Sequence, residues 1–168
     1  MSIVAVLNGL DAAALAKALS GCCASRRWVV QMSAAAPFAN DEALLAAAAE
    51  TWNGLAREDW LEAFAGHPKI GDLEALRSKF PDTRAWAGAE QAGVADASAA
   101  VLQRLAALNH KYQERFGYIF IVCATGKTAA EMLTLLEGRL ASDPGTELLV
   151  AAGEQLKITL LRLGKLAP

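Results

Sequence analysis

Two histidines occur in the 168 residues. One of them stands in Ala65-Gly66-His67-Pro68-Lys69-Ile70-Gly71-Asp72, where a proline and two glycines crowd around a titratable ring. A free imidazole titrates at about 6.5, so His67 can give or take a proton at cell pH. Pro68 steers His67 away from helical backbone angles, and Gly71 permits a close approach or an unusual dihedral. The spacing predicts a histidine held on an elbow between two helices. On the residues alone it is either an acid–base group or a loop histidine resting on helix-end carbonyls. The second histidine, His110, falls beside Gln103 and Glu114 on a solvated helix face and is not expected to function.

Arg162 is the next candidate. Helix residues turn by about 100° each. On that wheel Leu149, Ala152, Leu156, Leu160 and Leu163 form the expected core stripe, and Glu147, Glu154, Lys157 and Lys165 a polar sector. Arg162 belongs to neither, since its wheel neighbours are Leu148, Ala151, Gln155, Ile158 and Leu166. A guanidinium in such company needs an anion or a carbonyl. A structural salt bridge or a side chain reaching for water would satisfy it without any function. Glu90-Gln91, between Ala89 and Ala92, reads as a helix end, or as a pair able to orient a histidine and bind a ring amide. Gly126-Lys127-Thr128 has the tail of a phosphate-binding loop, but the glycine required five residues earlier is Ile121, so the phosphate reading fails. Cys22, Cys23 and Cys123 show neither a disulfide framework nor, with the histidines, metal-ligand spacing.

The elements that must position these groups are helical. Asn8 or Asp11 caps a first helix reaching Cys22, and Ser25 caps a second that Pro37 ends. Asn40 or Asp41 caps a third, through Trp52, and a short fourth runs from Arg57 to Phe64. A fifth follows Asp72 to Phe80, and 84–93 is a short helical or irregular piece. From Asp96 a long helix carries Val101, Leu105, Leu108, Tyr112 and Phe116 on one stripe, and Gly117 stops it. Tyr118 to Cys123 is a short apolar extended run. Lys127 or Thr128 opens another helix, and Asp143-Pro144 the last. The four tryptophans are expected to pack. The fold class expected is all-α: a single-domain bundle of about eight helices over residues 1–168, with one short extended apolar segment.

The composition narrows the function classes. Hydrophobic residues make up 54% and charged residues 20%, which is globular rather than disordered. A net charge of −2 leaves no footprint for nucleic acid or an anionic membrane. No apolar run reaches the length of a span, and the first residues lack the basic start of a signal peptide. A cytoplasmic protein is expected. The alanine-rich surface could support a homodimer, although no heptad seam is visible.

Taken together, His67-Pro68-Lys69-Ile70-Gly71-Asp72, Glu90-Gln91-Ala92-Gly93, and Phe116 to Cys123 with Gly126-Lys127 resemble the signature blocks of one family. It is the 2-oxo-4-hydroxy-4-carboxy-5-ureidoimidazoline (OHCU) decarboxylases. Ser25-Arg26-Arg27-Trp28, Arg77 and Lys157 to Leu163 also fit, so the resemblance covers nearly the whole chain. It implies an all-helical enzyme that completes urate breakdown to (S)-allantoin without a metal or organic cofactor. It further implies that His67 is catalytic with Glu90 in support, and that Gln91 and Arg162 contact the substrate. Pro68 and the backbone of Ile119, Phe120, Ile121, Val122 and Cys123 would line the pocket. Ala87 stands where such enzymes often have serine, which removes a hydroxyl contact. An inactive helical interaction module, or a metal-free lyase for another ureido acid, is the competing expectation.

Overall fold

A computed structural model describes residues 2–67 and 92–167. The readings at Pro68, Gly71, Trp86, Ala87, Glu90 and Gln91, the helix expected over 72–80 and all but the last two residues of the piece expected over 84–93 lie outside them; those two residues begin the long helix, which starts at Ala92 rather than Asp96. Eight helices and no strand occur among the described residues, as an all-α chain requires. These residues fall into two compact units. One holds the chain up to His67 together with Ala151 onward, and the other ends at Val150.

The first unit begins with α1 (Ile3–Asn8) and α2 (Ala12–Cys22), where a single helix from Asn8 was expected. Asp11 caps α2, accepting from the Ala14 N–H at 2.8 Å. Asn8 ends α1 instead, and its amide brackets Phe38, donating to the Phe38 carbonyl at 2.8 Å and accepting from the Phe38 N–H at 3.0 Å. Ser2 caps α1, accepting from the Ala5 N–H at 3.1 Å, and a distant carboxylate adds to it. Asp41 accepts from the Ile3 and Val4 amides at 3.3 and 2.9 Å, at the positive end of the α1 dipole. Asn40 therefore caps α4 (Asp41–Asn53), accepting from Ala43 at 2.8 Å.

Ser25 caps α3 (Arg26–Ala35) as expected, and α3 packs on α2, α4 and α5 (Arg57–Ala65). Leu19, Trp28, Met32, Leu44, Ala48, Trp52 and Phe64 are buried among them. Each large side chain among these contributes about 1.5–3 kcal/mol by leaving water. The indoles are also satisfied: Trp28 Nε1 donates to the Ala48 carbonyl and Trp52 Nε1 to that of Ala152, at 3.1 and 2.9 Å.

In the second unit α6 (Ala92–Phe116) packs along α7 (Ala129–Leu140). Leu102, Leu105, Leu108, Tyr112 and Phe116 are its buried stripe, with Leu102 displacing Val101 from the expected line. Gly117 ends α6 at a φ of +82°, a conformation that disfavours other residues. Residues 119–124 belong to no helix or strand. Thr128 then starts α7 with a reciprocal capping box to Glu131.

Helix α8 (Pro144–Gly164) corrects the wheel reading. Its buried line is Glu147, Ala151, Gln155, Thr159 and Leu163, with Ala152 and Glu154 beside it, whereas Leu149 is 64% exposed. Hydrophobicity alone misplaced the face by ranking Leu149 above polar residues that have internal partners. A hydrogen-bonded glutamine or glutamate can be buried at little net cost.

Candidate functional site

His67 sits just past the end of α5. Its backbone N–H donates to the Phe64 carbonyl at 3.2 Å, and Gly66 to that of Ala63 at the same distance. Gly66 matters by close approach: a Cβ there would stand 2.4 Å from the Ala24 Cβ, far inside contact distance. The half-buried imidazole lies against α8, with Nε2 2.5 Å from Gln155 Oε1. With the Gln155 oxygen facing it, Nε2 is the ring nitrogen placed to donate. The other end of the Gln155 amide donates to Thr159 Oγ1 at 3.2 Å. Gln155 and Thr159 are each 1% exposed.

Arg162 follows Gln155 by two turns, about 10 Å along the helix axis. It is half-buried and donates to the Cys22 carbonyl at 3.4 Å. No carboxylate pairs with it among the described residues. The neighbouring thiols do not neutralise it either. Burial pushes the Cys22 thiol up to about 11, Arg162 offsetting only part of that rise, and burial likewise raises Cys23. The sulfurs are neutral at cell pH, so no anion among the described residues matches the Arg162 charge.

The apolar run lies in the second unit, with Phe120, Ile121, Val122 and Cys123 buried. Cations hold two of its carbonyls: Arg139 donates to that of Ile121 at 2.6 Å and Lys127 to that of Cys123 at 2.8 Å. Peptide planarity then aims the Val122 and Ala124 N–H groups the opposite way. Among the described residues the amides from Ile119 to Cys123 donate no hydrogen bond. Buried amides lacking acceptors are costly unless something else accepts from them.

Arg139 belongs to a buried cluster that sequence reasoning missed. Glu147, wholly buried, accepts from Arg139 at 2.6 Å and from the Tyr112 hydroxyl. The guanidinium lies 4.6 Å from the Phe120 ring centroid and 5.8 Å from that of Tyr112. Burial first, then the hydrogen bond to Glu147, pushes the Tyr112 phenol well above its ordinary value. Gln155 was missed likewise, appearing only as a wheel neighbour of Arg162. The available signal was the run Glu147, Gln155, Thr159, polar residues at steps of eight and four that a helix aligns.

Of the residues expected to form a site, the structure links His67 through Gln155 to the helix bearing Arg162. It places Ile119 to Cys123 within the second unit, and Pro68, Glu90 and Gln91 lie outside the described residues. His110 is exposed, 3.3 Å from Glu114. All three cysteines are free and buried. Among the described residues no three His, Cys, Asp or Glu side chains gather as metal ligands, and no helix is long and apolar enough to cross a membrane.

Comparison with known proteins gives the chain its relatives. The uric acid degradation bifunctional protein TTL of Arabidopsis thaliana is 41% identical over 145 residues, covering 86% of this chain and 45% of that protein. This chain thus spans less than half of that relative's length. The 2-oxo-4-hydroxy-4-carboxy-5-ureidoimidazoline decarboxylase of Amia calva is 33% identical over 128 residues, 76% of this chain and 72% of that one. A crystal structure of OHCU decarboxylase in the presence of (S)-allantoin superposes with a TM-score of 0.70 at 39% identity, covering 88% and 94% of the two chains. A crystal structure of (S)-allantoin synthase shares the fold, with a TM-score of 0.68 at 23% identity over 95% of this chain and 52% of that one. The sequence model described as OHCU decarboxylase matches residues 8–164, and the chain belongs to the OHCU decarboxylase family.

Proposed function

We propose that the chain, as one catalytic domain over residues 1–168, decarboxylates 2-oxo-4-hydroxy-4-carboxy-5-ureidoimidazoline to (S)-allantoin. It acts as a carboxy-lyase in the cytoplasm, in urate breakdown. The observation that carries the reading lies on α8. Gln155 holds the candidate acid–base His67, and two turns on Arg162 presents a half-buried cation with no carboxylate partner among the described residues. An acid–base ring and an unmatched cation on one scaffold suit an anionic substrate that must be protonated.

Loss of CO2 breaks a carbon–carbon bond and leaves its electron pair on the ring carbon. That pair spreads into the adjacent ring C=N or C=O, and a proton must then arrive on one face to give one enantiomer. Arg162 anchors anionic or polar substrate groups. The amides of Ile119, Phe120, Ile121, Val122 and Cys123 donate to ring carbonyls, where negative charge grows. Glu90 orients His67, Gln91 binds the ring amide and Pro68 forms part of the wall. His67 polarises the hydroxyl or carboxyl region and acts as general acid. The alanine-rich helical surface suits a homodimer.

The test generates the unstable substrate in situ from urate with upstream enzymes and follows optical activity after the protein is added. Accelerated appearance of (S)-allantoin, abolished in a folded His67→Asn variant, is the expected result. Slow racemic product with the native protein overturns the activity, and native-like turnover in His67→Asn overturns the role of His67.

A further inference from the structure

We infer that Gln155 is a positioning residue for His67, an inference that rests on His67 acting as proposed above. The Gln155 side chain is 1% exposed, yet its amide is engaged at both ends, by His67 Nε2 at 2.5 Å and by Thr159 Oγ1 at 3.2 Å. A buried glutamine loses rotamer entropy as well as hydration. Packing does not require it, since a leucine of similar size would fill the same space. What the amide adds is direction. With its N–H turned to Thr159, its oxygen faces Nε2 and fixes where that nitrogen stands.

An amide oxygen accepts from the neutral ring and from the imidazolium alike. It therefore orients His67 throughout a proton-transfer cycle without adding a charge that favours one form. The support runs from Thr159 to Gln155 within a single helix, so their i,i+4 spacing holds both groups rigidly. Gly66 sets the other side of the geometry, letting the end of α5 approach Ala24 so that the imidazole stands over α8. The backbone and Nε2 are thus two of the points at which the ring is held.

Gln155→Leu removes the acceptor at nearly constant volume. Displacement of a catalytic group by about 1 Å can cost up to about 100-fold in rate, and kcat is expected to fall by about 10- to 100-fold with KM little changed. Nitrogen NMR supplies a readout that packing does not move. The chain has only two imidazoles, and the His67 Nε2 signal should be that of a hydrogen-bonded nitrogen in the native protein and should shift in Gln155→Leu. Gln155→Glu keeps an acceptor but adds a charge beside the ring, so it should recover part of kcat with the pH profile displaced toward the charged ring. Thr159→Val leaves Gln155 in place but removes its brace, so a several-fold loss of kcat with a smaller shift of the Nε2 signal is expected. This second variant decides the matter if Gln155→Leu does not fold.

Native kcat and an unchanged ring pattern in the folded Gln155→Leu protein, or in Thr159→Val if it alone folds, overturn the inference. A loss confined to KM also overturns it. Inactive His67→Asn beside native-like Gln155→Leu defeats this inference alone, whereas an active His67→Asn defeats the reading on which it rests.

Discussion

Helix α8 carries two polar clusters built in opposite ways. Near its start Glu147 closes on Arg139 and Tyr112, wholly out of water and with its charge matched. Farther along, Gln155 and Thr159 hold His67 through neutral groups, and among the described residues Arg162 has a single long hydrogen bond, to a carbonyl. A buried ion pair with its charge matched needs no further counterion, even though Glu147 Oε2 has no hydrogen-bond partner among the described residues. A half-buried guanidinium that meets only a carbonyl among those residues leaves positive potential unmatched there. The closed cluster acts on its surroundings by gripping the Ile121 carbonyl, and the open one is suited to meet a substrate directly. Burial of charge is thus compatible with either role, and the deciding feature is whether the charge is matched.

Substitution should separate the two. Arg139→Met leaves the Glu147 carboxylate buried without its cation, and loss of one partner of a buried pair costs about 3–5 kcal/mol. Urea titration should show that loss, and the released Ile121 carbonyl should also raise KM. If Arg139→Met is as stable as the native protein, the cluster is not closed in this sense. Arg162→Ala should behave in the reverse manner. Stability should change little, while loss of a charge-assisted contact to substrate raises KM by about 10- to 100-fold. Unchanged kinetics would leave Arg162 with only its bond to Cys22.

Gly66→Ala sharpens the comparison from the open side. The added methyl meets the Ala24 Cβ at 2.4 Å, and such overpacking costs about 1–3 kcal/mol. Since the shift is passed to His67, kcat should drop more than the melting temperature suggests. A change in stability with kcat intact would separate the position of His67 from the approach of α5 to Ala24.

The smallest effect belongs to an exposed pair outside both clusters. The Arg26 backbone N–H and then its guanidinium hold the Glu62 carboxyl below the usual glutamate value of 4.5. A depressed folded value means stability that is present above the unfolded pKa and lost as pH falls through the folded one. The native advantage over Glu62→Gln should be slight near neutrality, because the pair is exposed, and should vanish in acid. Thermal melts at neutral and acid pH test this. A gap that grows on acidification contradicts the sign.

Local sequence indicated most of the described helices, their start signals and the apolar run that leaves the helical pattern. Ser25, Thr128 and Asp143 cap where their side chains can reach the first turn, and Gly117 stops α6 because its φ is positive. Those features depend on residues a few positions apart. The choice between Asn40 and Asp41 did not, because Asp41 serves α1 across two intervening helices, 37 and 38 positions away in sequence. The residue types of the candidate site were equally legible: His67 on its elbow, Arg162 off both faces of its helix, and the apolar run.

Only the tertiary structure decided what those residues face. Gln155 and Glu147 look like ordinary surface polars on a wheel until His67, 88 positions away from Gln155, and Arg139 with Tyr112 supply their partners. A polar side chain can be buried where its hydrogen bonds are returned. The groups that return them come from elsewhere in the chain, so neither periodicity nor hydrophobicity along α8 could disclose the face that turned inward.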